Sequence, residues 1–138
     1  MQYMLLIYNT EKLHNKRTAE QFRAGMEAHQ QLMEETRKCG VFIGAQPLKP
    51  TSLAKTVRLA PDMKATFVTD GPFAETKEQL AGYYLLDCAS MEEAIEYAKK
   101  IPQHCAAPGS VGGVEVRPVL EFAEVQQILD SLVAEQPA

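Results

Sequence analysis

The segment TDGPFAETKE, residues 69–78, separates two apolar runs at 65–68 and 80–86. Its Asp-Gly-Pro tripeptide favours a turn, because Asp bonds nearby backbone groups, Gly permits a positive φ, and Pro fixes φ and lacks an N–H donor. The pattern predicts a strand that ends with the Asp70 carboxylate, then a loop, then a second strand that begins after a charged cluster. The segment therefore determines where two strands lie and places an acid between them.

The composition is that of one soluble globular domain, with 138 residues of which 46% are hydrophobic and 23% are charged. The net charge of −4 is spread along the chain, so we expect no basic surface for a nucleic acid or a membrane. The longest apolar runs, 4–7 and 83–86, are far too short to span a bilayer, and the N-terminus lacks a signal-peptide pattern. We expect a cytoplasmic protein without nucleic-acid or membrane partners.

The three cysteines, Cys39, Cys88 and Cys105, are an odd number at wide spacing. A disulfide framework or a zinc site needs paired or closer ligands, so buried or incidental thiols are the better interpretation. His104 next to Cys105 offers two adjacent ligands without further partners, which makes a poor metal site. No segment has a recognisable nucleotide, flavin or metal motif, and we expect no cofactor.

Hydrophobic periodicity and end signals predict an alternation of strands and helices. A helix should run from an N-cap at Thr18 to Gly40, because Gln21 completes a weak capping box and glycine suits the C-terminal cap. Residues 9–16 are polar and predict a surface loop in which His14 is solvated. The remaining predicted elements are strands at 2–8, 41–45, 80–88 and 114–117, a hairpin of 56–59 and 65–69, and helices that open at Ser90 and Phe122.

This order contains two βαβ-like halves around one sheet and predicts an α+β fold. We expect a ferredoxin-like sandwich with an antiparallel sheet, helices on one face and an inserted hairpin. Residues 1–120 form the domain, and the C-terminal helix and tail, 121–138, belong to the same unit. The sheet face without helices is apolar and needs cover. A second copy of the chain is the economical source, so we expect a homodimer with two-fold symmetry.

The first predicted helix carries one candidate for acid–base chemistry. Phe22, Met26 and Met33 fall within a narrow arc of the helix, and His29 is the only ionisable group on that stripe. Burial lowers the pKa of a histidine and a neighbouring carboxylate raises it, so together they leave the ring near its ordinary pKa of about 6.5. A carboxylate on one ring nitrogen also leaves the other nitrogen as a general base. The alternative is a core histidine that bonds a backbone carbonyl.

Several segments together resemble the YCII-related proteins, also called the DGPF-domain family after the residues at 70–73. The similar segments are the opening strand at 3–7, His29 with the junction at 40–45, the stretches at 69–78 and 81–84, and the closing strand at 114–118. They cover residues 2–119, and the departures are a longer loop at 105–113 and the C-terminal helix. The resemblance implies a dimeric α/β barrel, in which two sheets pack face to face. It also implies an active-site pair of a histidine on the first helix and an aspartate, here His29 and Asp70.

Two functions fit these residues, and both use a pocket between the first helix, the sheet and the DGPF loop. In the first, an enzyme acts on a small organic substrate, with His29 as general base or acid and Asp70 orienting it. Proton abstraction, isomerisation, lyase chemistry and cofactor-free oxidation are all feasible there. The second function is a non-catalytic dimeric module that binds a small metabolite, and a structural dimer without a ligand is a third possibility. The candidate substrate-binding residues are Gly71, Pro72, Phe73, Glu75 and Lys77.

Simpler interpretations of the loop stay open beside these. Asp70 also suits a turn residue that satisfies its own loop. Glu75, Lys77 and Glu78 also suit a solvated charged cluster, in which Lys77 is a weaker candidate for binding an anion.

Overall fold

The computed structural model describes residues 1–101 and 112–137, and in them the predicted order of elements is confirmed, with two added helical turns. The strands are β1 (Gln2–Asn9), β2 (Phe42–Pro47), β3 (Lys55–Leu59), β4 (Thr66–Asp70), β5 (Gln79–Asp87) and β6 (Gly113–Pro118). The helices are α1 (Glu11–His14), α2 (Ala19–Lys38), α3 (Met91–Lys99) and α4 (Phe122–Glu135), and a short 3-10 turn covers Thr51–Leu53. The loop predicted for residues 9–16 is wrong in part, because α1 forms a single turn of helix there. No helix in the described residues is both long and apolar enough to cross a membrane.

The main sheet has four antiparallel strands in the order β2-β5-β1-β6. The apolar strands β1 and β5 are central, as their composition predicts, and β6 with its terminal Pro118 lies at an edge. β3 and β4 pair with each other in a second, two-stranded sheet. We call residues 55–70 the β3–β4 arm. The fold is therefore α+β with antiparallel sheets, and the arm is an insertion between β2 and β5.

The core lies where one face of the main sheet meets α2 and α3. β1 and β5 contribute alternate residues to this face, Tyr3 and Leu5 from one strand and Tyr84 and Leu86 from the other. The helices add the buried residues Leu32, Thr36, Ala94 and Ala98. Because Tyr84 belongs to this face, its side chain points toward the helices.

The ends of α2 agree with the sequence prediction. Thr18 Oγ1 accepts a hydrogen bond from the backbone N–H of Gln21 at 3.1 Å, and the Gln21 side chain accepts one from the Thr18 N–H at 2.9 Å. The helix stops before Gly40, whose φ of +74° is open to glycine without strain. These two ends set the register of α2 and so the face on which His29 lies.

Two apolar surfaces are exposed in the described residues. α4 exposes apolar side chains at helical spacing, including Phe122 at 83% and Leu132 at 55%. The β3–β4 arm exposes Val57 at 68% and Val68 at 60%. Extended apolar surface of this kind marks a site of contact with another molecule.

Candidate functional site

His29 and Tyr84 form a hydrogen-bonded pair between α2 and β5. His29 Nδ1 lies 2.6 Å from the Tyr84 hydroxyl oxygen, and the two rings stack with 5.8 Å between centroids and 18° between planes. On α2, His29 lies on the same face as the buried residues Gly25, Leu32 and Thr36. Helix periodicity therefore directs His29 toward the sheet, and strand alternation directs Tyr84 toward the helix.

A cavity of about 710 Å³ lies beside this pair, with walls from α2, β1, β2 and β5. Much of the wall is apolar and includes Ile7, Phe22, Met26, Met33, Pro47 and Ile101. Besides the pair, the polar groups of the wall include Asn9, His14, Arg17, Gln46 and Tyr83. The described residues of the wall include no aspartate and no glutamate. A mostly apolar cavity with a few polar groups is typical of a small-molecule site.

Both members of the pair are uncharged at neutral pH. Burial and, secondly, the positive charge of Arg17 lower the pKa of His29 below its ordinary value of 6.5. Burial raises the pKa of the Tyr84 hydroxyl to about 12. The expected balance between burial and a carboxylate is wrong, because both effects on His29 act in the same direction and no carboxylate takes part.

A phenol partner lets His29 gain and lose a proton without losing its hydrogen bond. The Tyr84 hydroxyl can donate to an unprotonated Nδ1 or accept a hydrogen bond from Nδ1–H. In the second arrangement Nε2 carries the lone pair and can act as a base. When Nε2 takes up a proton, Nδ1–H still donates to Tyr84. The geometry therefore suits proton transfer at Nε2.

Asp70 does not contact His29 within this chain. It is the last residue of β4, its side chain is 87% exposed, and its carboxylate accepts a hydrogen bond from Lys55 Nζ at 2.5 Å. The reason is the topology. The β3–β4 arm is a separate sheet, so Asp70 at the end of β4 pairs with Lys55 of β3 and not with a residue of α2. Within this chain His29 therefore pairs with Tyr84, and the His29–Asp70 pair stays a prediction.

Comparison with known proteins connects this site to a family. A family model described as the YCII-related domain matches residues 1–123. The chain belongs to the YCII-related family. A relative, an uncharacterised protein of Rhizobium meliloti (strain 1021), is 40% identical over 119 residues, which cover 86% of this chain and 92% of the relative. The matched YCII-related domain contains His29, Tyr84 and the turn at 70–73, whereas most of α4 lies beyond it.

The DGPF turn of this YCII-related domain, residues 70–73, is held by contacts with β3 and the residue before it. The Gly71 N–H donates to the Ala54 carbonyl and Thr56 Oγ1 donates to the Gly71 carbonyl, both at 2.8 Å. Arg58 donates to the Phe73 carbonyl at 2.7 Å. Gly71 has φ of +96°, which confirms the turn chemistry predicted for this glycine. The candidate substrate-binding residues of the loop do not line the cavity in this chain, and their role in binding stays a prediction; they are Gly71, Pro72, Phe73, Glu75 and Lys77.

The YCII-related domain also has cavity residues that sequence reasoning missed. His14, predicted to be solvated, ends α1 and lines the cavity, and its buried Nδ1 makes no hydrogen bond to any described residue. Arg17 Nε donates to the His14 carbonyl at 3.0 Å, and the guanidinium carbon lies 5.0 Å from the centroid of the Phe22 ring. A four-residue helix has no periodicity that could signal these positions. Tyr84 alternates with Leu86 along β5, but Tyr83 alternates with Leu85 in the same way, so the sequence does not show which tyrosine faces α2.

Metal binding has no candidate cluster in the part of the YCII-related domain that the structure describes. No group of three or more His, Cys, Asp or Glu side chains is placed there to hold a metal ion. Cys39 is exposed and Cys88 is buried, both as free thiols. His104 and Cys105 lie outside the described residues. The side chains that the described cavity offers to a ligand are imidazole, guanidinium, amide, phenol and apolar groups.

Proposed function

We propose that this YCII-related protein is an enzyme that moves a proton between two positions of a small organic substrate, with His29 as the acid–base group. The observation that carries the proposal is the 2.6 Å hydrogen bond between His29 and Tyr84 in the wall of the cavity. Because Tyr84 engages Nδ1, Nε2 is the nitrogen that meets the substrate. The lowered pKa keeps this imidazole unprotonated at neutral pH, the form that a general base requires.

The reaction class follows from the side chains that the cavity offers. Nε2 removes a proton from a carbon next to a carbonyl, and the electron pair of the broken C–H bond forms an enolate. The protonated Nε2 then returns the proton to another carbon of the conjugated system, so the substrate is isomerised and no co-reactant is consumed. The wall includes side chains that can donate a hydrogen bond to the enolate oxygen, among them the amide of Asn9 and the guanidinium of Arg17.

The proposal extends to the assembly. The strand order β2-β5-β1-β6, with helices between β1 and β2 and between β5 and β6, supports a ferredoxin-like sandwich. The exposed apolar surfaces of α4 and the β3–β4 arm support a second copy of the chain as their cover, in a dimeric α/β barrel. Sedimentation equilibrium should find a dimer that Leu129→Glu weakens and that Gln127→Glu leaves intact. A monomer at all concentrations would contradict this assembly.

Solvent deuterium incorporation tests the reaction without a known substrate. The protein is incubated in D₂O with a panel of small ketones and oxo acids, and NMR follows the loss of each C–H signal. We expect incorporation into at least one compound, and a rate lowered about 100-fold or more by His29→Gln, the usual worth of a general base. Tyr84→Phe should lower the rate less. Gln31→Ala, on the exposed side of α2 and outside the cavity wall, is the matched control and should keep the wild-type rate.

Two outcomes would count against the enzyme. Equal incorporation rates in the wild-type protein and His29→Gln would refute a role for this histidine. Binding of panel compounds that depends on His29, without proton exchange in any of them, would instead support the non-catalytic binding module.

A further inference from the structure

We infer that the cavity recognises a small carboxylate with an apolar body, and that His14 and Arg17 form its anion subsite. The inference rests on the proposed function, because it names the substrate class of the same cavity. Three features of the described wall carry it. They are a single formally charged side chain, an imidazole nitrogen without a described hydrogen-bond partner, and apolar surface around both.

Arg17 is held in the cavity wall at the junction of α1 and α2. Its Nε donates to the His14 carbonyl at 3.0 Å, and its guanidinium carbon lies 5.0 Å from the centroid of the Phe22 ring. These contacts hold the side chain in place, so less conformational freedom is lost when a ligand binds to it. A guanidinium suits a carboxylate because its planar N–H groups match the two carboxylate oxygens.

Arg17 brings a positive charge to the described wall of the cavity. It is the only formally charged side chain among the described residues of the wall. After burial, it is the second cause that lowers the pKa of both His14 and His29, so its field reaches both imidazoles. Both rings are therefore neutral at neutral pH and add no further charge. A guanidinium in a mostly apolar wall favours a ligand with a negatively charged group.

His14 supplies the second feature. Its Nδ1 is buried and bonds no described residue, although buried polar atoms nearly always have a partner. The Arg17 hydrogen bond to the His14 carbonyl keeps the two residues together. Because Nδ1 is buried in this conformation, the imidazole must turn toward the cavity before a carboxylate oxygen can accept a hydrogen bond from Nδ1–H. The bound anion thus supplies a partner that the described residues lack.

The rest of the wall determines the body of the ligand. Phe22 and Met26 are 50% and 48% exposed and line the cavity, so a ligand with apolar surface would cover them. The volume of about 710 Å³ lies within the range of roughly 300–1,000 Å³ that is usual for small-molecule sites. The subsite therefore fits a carboxylate on a hydrocarbon or aromatic frame.

Matched pairs of acids and amides test this inference, because the members of each pair share a shape and differ in charge. The pairs are benzoate and benzamide, phenylacetate and phenylacetamide, trans-cinnamate and cinnamamide, and hexanoate and hexanamide. Ligand-observed NMR and calorimetry at neutral pH give their affinities. We expect at least one acid to bind about tenfold more tightly than its amide, the worth of one charge-assisted hydrogen bond. Arg17→Gln should bring that ratio close to one, whereas Arg23→Gln, on the exposed side of α2 and outside the wall, should leave it unchanged.

Two more variants separate the possible causes of a loss. Arg17→Lys keeps the charge and should retain part of the acid preference, which distinguishes loss of charge from loss of fold. His29→Gln should abolish proton exchange and keep the acid preference, so the proposed function and this inference fail separately. An acid preference that survives Arg17→Gln, or the absence of any preference in all four pairs, would overturn the inference.

Discussion

Tyr84→Phe removes the oxygen atom through which Tyr84 reaches His29 and leaves the aromatic ring in place. The tyrosine is 3% exposed and packs in the core, so the substitution opens almost no cavity. The loss is the single hydrogen bond of 2.6 Å to His29. One such bond contributes about 0.5–1.5 kcal/mol to the free energy of unfolding. We therefore expect a decrease of about 1 kcal/mol at neutral pH, or about 3–5 °C in Tm for a chain of this length.

A double-mutant cycle isolates that bond from the packing around it. The free energy of unfolding is measured in urea for the wild-type protein, Tyr84→Phe, His29→Ala and the double variant. We expect a coupling energy of about 0.5–1.5 kcal/mol, since each single variant removes the same bond. Tyr84→Ala, which also empties the core position, should cost about 3–5 kcal/mol. A coupling energy below about 0.3 kcal/mol, within the scatter of additive sites, would refute the hydrogen bond as the link between α2 and β5.

Three further predictions follow from single features of the fold. The free energy of unfolding should fall as the pH drops below 6.5. The reason is that His14 and His29 take up protons there in the unfolded chain, while their lowered pKa values keep them neutral in the folded one. Urea unfolding between pH 8 and 5 should show a smaller decrease in this free energy when both histidines are replaced by Gln. Asp70→Asn should leave the pKa of His29 unchanged in an NMR titration and Tm within about 2 °C, because its ion pair is exposed to solvent; a changed pKa would show that a second copy brings this carboxylate to the site. Gly82→Ala places a Cβ 2.8 Å from a backbone oxygen of β2 and should cost about 1–3 kcal/mol. Gly44→Ala meets no atom within 4 Å and is its control in the same thermal unfolding measurement.

Local signals in the sequence are sufficient to predict the helix and strands that surround the site. Thr18 and Gly40 predict both ends of α2, because caps satisfy backbone groups only a few residues away and so leave a local pattern. The helical spacing of α2 then places His29 on its sheet-facing side. The apolar runs of β1 and β5 predict central strands for the same kind of reason, since a central strand has few polar residues.

Pairing between distant strands leaves no comparable local pattern. The predicted hairpin of 56–59 and 65–69 is confirmed, but nothing within these residues shows where the hairpin lies relative to the main sheet and α2. The expected contact of Asp70 with His29 depended on that position, and within this chain Asp70 pairs with Lys55 instead. Tyr83 and Tyr84 present the same difficulty on a smaller scale. Only the register of β5 against β1 decides which of these adjacent side chains faces α2.

A phenol in the place expected for a carboxylate changes what His29 can do before and after a ligand binds. A carboxylate would stabilise the imidazolium in the empty cavity, whereas Tyr84, with its pKa raised to about 12, stays neutral and Arg17 opposes the second charge. A bound carboxylate offsets the charge of Arg17 and so weakens one of the two causes that lower the pKa of His29. The histidine therefore becomes a stronger base when the cavity holds an anion, and proton transfer is favoured in the complex over the empty protein. NMR titration of His29 should show a higher pKa with a bound acid than with its amide. A lower pKa with the acid would show that the charge of Arg17 does not control the basicity of His29.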